Sequence, residues 1–169
     1  MVSASSAPAS AWRGEGTPLG KRKLCANHLL VMPERLRPML ARARTASEAG
    51  DHRAAARGYY EAADKARSVE LLGELAFCLR HGAQHSIEND QLRLALDAAE
   101  EAMSVYEQTE TDKSLNFANT ARLIALAMEG MERSHEARPY WEEARDIYDI
   151  NGVKAGVDEC DAHLSAATD

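Results

Sequence analysis

Along residues 92–106, apolar positions return with the period of a helix. Leu92, Ala95, Leu96, Ala99, Ala102, Met103 and Tyr106 recur at spacings of three and four, and Asp97, Glu100, Glu101 and Glu107 fall on the other side. One face packs and the other meets water, so the four carboxylates read as a solvated surface rather than a metal site. Beyond Pro33 the pattern stays helical, and Pro38 stands where an early helical turn tolerates proline. Helices are expected at 35–49 and 52–67, separated by Gly50 and Asp51. Further breaks are expected at Ser68, over 82–89, over 109–112, over 130–134 and at Asn151 and Gly152, all places rich in Gly, Asn, Ser, Thr or Asp. Seven helices result, the last over 153–166.

The helices carry an internal repeat. A small residue, a larger one four positions on and a second small residue three further recur as Ala55, Tyr59, Ala62, then Ala95, Ala99, Ala102, then Ala137, Trp141, Ala144, with offsets of about 40 and about 42 residues. Small residues let helices approach closely, and an aromatic fills the gap between hairpins. This phrase resembles the second helix of the tetratricopeptide repeat. Gly50 and Asp51 are similar to that family's interhelical turn, and Glu-Glu-Ala followed by Tyr106 or Tyr148 is similar to its longer-period members. The first-helix signature is degenerate, reading Met39, Ala43 and Ala46 in one unit and Leu72, Leu75, Ala76 and Leu79 in the next. Ala99 replaces the aromatic of the middle repeat. The stretch 81–90 is longer than the family's turn, which implies extended helices or a protruding loop.

The resemblance covers about residues 35 to 166. It implies an all-α fold over 34–169, about three antiparallel helical hairpins stacked as a short right-handed superhelix. Residues 151–166 align with 109–124 but have no second helix after them, so they are expected to cap the last hairpin, with Cys160 and Leu164 inward.

Composition agrees with helices. Of 169 residues 45% are apolar but only 5% aromatic, which favours close-packed helices over a sheet. The formal charge of −7 argues against a general attraction to nucleic acid or an anionic membrane. Arg13, Lys21, Arg22 and Lys23 against Glu15 leave the first 33 residues at about +3 and the rest at about −10. Residues 1–20, mostly Ser, Ala, Pro and Gly, cannot bury enough apolar surface to offset ordering entropy. Residues 1–33 are therefore expected to be a disordered leader, or an upstream extension from a misassigned start with Met32 as the true one. Cys25, Cys78 and Cys160 are an odd number at wide spacings, which fits a reducing, cytoplasmic setting and gives no zinc motif. No run of 18 apolar residues suggests a membrane span.

No phosphate loop, nucleophile elbow or HExxH motif is present in the sequence, so no enzyme activity and no cofactor are expected. His81, His85 and Glu88 have helical metal-ligand spacing, but Gly82 favours reading them as a polar turn with incidental histidines. His28, His52, His135 and His163 fall in separate elements and suggest no constellation. Cys78, amid Leu75, Ala76, Phe77 and Leu79, is expected to pack. The family resemblance implies that first helices line a concave groove, which makes Arg37, Arg44, Phe77, Arg80, Asn119 and Arg122 the peptide-binding candidates, with Leu126 as apolar floor. Arginine can hold a carboxylate bidentately and Asn can bond both donor and acceptor of an extended backbone, so an acidic segment of a protein partner is the expected ligand. A monomer or homodimer is expected. The alternatives are a self-associating structural module and a ligand- or peptide-sensing domain of a regulatory system.

Overall fold

The computed structural model describes residues 36–109 and 114–166. The expectations for residues 1–33, including Cys25 and His28, lie outside the described residues. The described chain is all helical: α1 Leu36–Glu48, α2 His52–Ser68, α3 Leu72–Glu88, α4 Leu92–Thr109, α5 Leu115–Gly130, α6 Ser134–Ile150 and α7 Lys154–Ala166. Each helix packs on the next, and α3 also touches α5, an arrangement consistent with an α-solenoid of three hairpins and a final helix.

Five turns share one geometry. Gly50, Glu70, Asp90, Glu132 and Gly152 have φ of 72°, 56°, 55°, 62° and 69°. In each, the following residue's N–H reaches back five positions: Asp51 to Ala46 at 2.9 Å, Leu71 to Ala66 at 3.0 Å, Gln91 to Ser86 at 2.8 Å, Arg133 to Met128 at 2.9 Å and Val153 to Tyr148 at 2.8 Å. These bonds satisfy helix-end carbonyls in the Schellman manner. Only two turns use the glycine that a left-handed residue favours; the other three hold a carboxylic side chain there at a steric cost. Starts are capped more conventionally, with Asp51 Oδ1 accepting from Ala54 N–H at 2.9 Å and Ser114 Oγ from Asn116 and Phe117 N–H at 3.1 and 3.4 Å.

The expected break over 82–89 is not there. Helix α3 runs through Gly82 to Glu88, and the turn is confined to Asn89–Gln91, so there is no protruding loop over 81–90. Gly82 marks a close approach: a Cβ there would lie 2.5 Å from Cε1 of Tyr60, whose hydroxyl shares a 2.9 Å hydrogen bond with buried Ser86. A glycine selected for helix contact is indistinguishable, in one sequence, from a glycine that ends a helix.

All nine residues of the repeated small–large–small phrase in α2, α4 and α6 are buried. Trp141 anchors the third hairpin, and its Nε1–H donates to Glu129 Oε1 of α5 at 2.8 Å. Helix α7 packs on α6 with Cys160 fully buried and Leu164 half-buried. His163 of α7 stacks on Trp141, ring centroids 4.1 Å apart, and bonds Glu129 Oε2 at 2.7 Å, which ties α5, α6 and α7 together.

Candidate functional site

Side-chain contacts connect the odd-numbered helices into one face. Arg44 of α1 lies over the Phe77 ring of α3 at 5.9 Å. Gln84 of α3 accepts from Arg122 of α5 at 3.5 Å, and Arg122 grips Glu159 of α7. Helical spacing puts Arg37 and Arg44, Phe77, Arg80, His81 and Gln84, and Asn119, Arg122 and Leu126 on this face of their respective helices. Arg37 is exposed, seven residues before Arg44; Leu126 is half-buried.

Three of the six candidates meet at the α1–α3 end. The guanidiniums of Arg44 and Arg80 lie 5.9 and 5.8 Å from the centroid of the same Phe77 ring, within cation–π range. Among the described residues neither arginine has a carboxylate within ion-pairing distance, whereas Arg67, Arg93, Arg133, Arg138 and Arg145 all do. Arg80 Nη2 lies 3.1 Å from His81 Nε2, while its Nε is buried without a hydrogen-bond partner.

Behind Phe77 stands a cluster that the sequence reading did not assemble. Tyr59 of α2 stacks on His81 and His85 of α3, at 5.2 and 5.7 Å, and meets Phe77 edge-on at 6.4 Å. His52, at the start of α2, places Nδ1 3.1 Å from Nδ1 of buried His85. The centroids of these two rings are 5.4 Å apart, about the nitrogen separation plus two ring radii, so the nitrogens point head-on at hydrogen-bond distance, with the donor set by the tautomer. Head-on lone pairs do not converge on a third point, so this pair is a hydrogen bond rather than a chelate, and among the described residues no group of three ligand-type side chains could hold a metal ion. The reading of 81–88 as a polar turn is corrected: His81 and His85 are helical and inward, one turn apart. That i, i+4 spacing was the available signal, obscured by Gly82.

Burial, reinforced by Arg80, His85 and Arg44, pushes the His81 imidazole down to about 4, and burial with the neighbouring His52 lowers His85 too. Both rings are neutral at physiological pH. Burial raises the Tyr59 phenol, a shift that nearby Arg44 partly offsets.

The α5–α7 end is different. Arg122 makes two bonds to Glu159, 2.7 Å from Nε and 2.6 Å from Nη2, so its charge is already matched. Asn119 Oδ1 accepts the Tyr148 hydroxyl at 2.7 Å, which leaves its amide N–H groups as the freer side. The two described thiols are held protonated: burial pushes Cys78 to about 12 and Cys160 to about 11. No helix among the described residues is long and apolar enough to cross a membrane.

No protein-family model matches the chain, and no curated protein or solved structure matches it.

Proposed function

We propose that the chain is a tetratricopeptide-like binding module that holds an acidic, extended segment of a protein partner on the face of its odd-numbered helices. The supporting observation is the Arg44–Phe77–Arg80 cluster: two guanidiniums share one aromatic ring and neither is neutralised by a described carboxylate. In a chain of formal charge −7, where six of the ten other described arginines are ion-paired, two guanidiniums that are not lie against one ring, and a carboxylate can meet both there. Half-buried Phe77 supplies apolar contact beside the charge. The family reading rests on the buried small–large–small phrase in α2, α4 and α6 and on the hairpin offsets of about 40 and 42 residues. In that reading α1, α3 and α5 are the groove-lining first helices and α7 is the cap. The role is binding, not catalysis, in a reducing cytoplasmic setting that keeps Cys78 and Cys160 as thiols.

Fluorescence anisotropy with labelled hexaglutamate, against hexalysine as control, tests the reading. Saturable binding of hexaglutamate is expected, weakened at least tenfold in the Arg44→Ala, Arg80→Ala double variant and unchanged in Arg122→Ala. Equal binding by wild type and the double variant would move the site elsewhere.

A further inference from the structure

The anion seat depends on where the Arg80 guanidinium points, and one contact fixes it. Arginine has five N–H donors and no acceptor, and it does not lose its proton in proteins, so in the 3.1 Å contact Arg80 Nη2–H donates and His81 Nε2 accepts. A neutral imidazole that accepts at Nε2 carries its proton on Nδ1. The His81 ring cannot turn freely to escape this role: it lies 4.2 Å from Phe77 and is stacked on Tyr59 at 5.2 Å. Around it stand Arg44 from α1, Tyr59 from α2, and Arg80 and His85 from α3, three of them basic. A positive ring would repel Arg80 as well as lose the acceptor. Arg80, with no described carboxylate to hold it and its Nε buried without a partner, has this bond and the Phe77 face as its anchors among the described residues.

We propose that His81 is the positioning residue of the anion seat: its Nε2 holds the Arg80 guanidinium over Phe77 beside Arg44, so that the two cations present one site. This rests on reading the cluster as an anion seat. The ligand class it selects is a polycarboxylate segment whose neighbouring charges engage two guanidiniums at once, and His81 adds to its affinity without touching it. His81 thereby differs from a core aromatic, whose replacement by another ring of similar size would leave binding intact.

Two measurements decide it. Long-range proton–nitrogen NMR on the full chain reads the tautomer: His81 is expected as the Nδ1–H form, and Arg80→Met is expected to shift it toward Nε2–H. Anisotropy with labelled hexaglutamate reads the consequence: His81→Phe, which keeps a ring between Phe77 and Tyr59 but offers no acceptor, is expected to bind about tenfold more weakly, and His81→Gln, whose amide oxygen can accept, within about threefold of wild type. Circular dichroism confirms that both variants fold. An Nε2–H tautomer in the wild-type protein, or wild-type affinity in folded His81→Phe, overturns the proposal while leaving the groove reading in place. Absence of hexaglutamate binding by the wild-type protein overturns the groove reading itself.

Discussion

The two ends of the odd-helix face use the same residue types to opposite effect. At the α1–α3 end, Arg44 and Arg80 share Phe77 and have no described carboxylate partner. At the α5–α7 end, Arg122 is clamped by Glu159, Asn119 is engaged by Tyr148, and Trp141, His163 and Glu129 close the last hairpin. The difference lies in what the next odd helix supplies. Helix α7 brings a carboxylate to Arg122, whereas α3 brings a second arginine and an aromatic ring to Arg44. An arginine on this face is thus matched by a carboxylate or left without a described one according to its neighbour, and its own position in the repeat does not distinguish the two.

The comparison breaks most severely if its open end loses its support. Tyr59 is buried beneath Phe77, His81 and His85, so Tyr59→Ala should cost about 3–5 kcal/mol and abolish hexaglutamate binding, as measured by urea denaturation and anisotropy. Next in size is the response to acid. The unfolded chain takes up a proton on His81 near pH 6.5, whereas the folded chain resists until about 4, so stability falls as pH drops through that window. The loss should be on the order of 2 kcal/mol after allowing for the exposed part of the ring. Urea midpoints from pH 7 to 4 check it, and His81→Gln, which has no proton to gain, should flatten that part of the profile.

The closed end can be opened by one substitution. Glu159→Gln removes the charge that matches half-buried Arg122, and should cost about 1–2 kcal/mol while tightening hexaglutamate binding several-fold. An unchanged affinity would show that a free guanidinium on α5 is insufficient, and that the ring and second arginine of the α1–α3 end make the seat. The smallest effect expected is in the turns. Glu70, Asp90 and Glu132 occupy left-handed backbone that glycine adopts without steric penalty, so replacing each with Gly should stabilise by about 0.5–1 kcal/mol in thermal denaturation, with binding unaltered.

Much of the helix plan was legible because both its signals are local. The three-and-four spacing in α4 and the polar residues at Gly50–Asp51 and Asn151–Gly152 placed helices and turns within a residue or two. Gly82 misled for the same reason: its role, room for Tyr60, belongs to a residue on another helix. The histidine cluster escaped because His52 and His85 are 33 positions apart, and nothing local to either announces the other. Arg44, Phe77 and Arg80 were recognisable as one face, but their lack of carboxylate partners was not.

The sequence by itself determined seven helices, the breaks near Gly50–Asp51, Ser68, 130–134 and Asn151–Gly152, and the small–large–small phrase, since periodicity, propensity and turn chemistry act over a few residues. Tertiary structure alone decided which arginines stay unmatched, that Gly82 continues a helix, and that His81 is neutral and accepts from Arg80. Those outcomes depend on side chains brought together from different helices, where a carboxylate or a ring a few ångströms away sets the charge, the orientation and the use of each group.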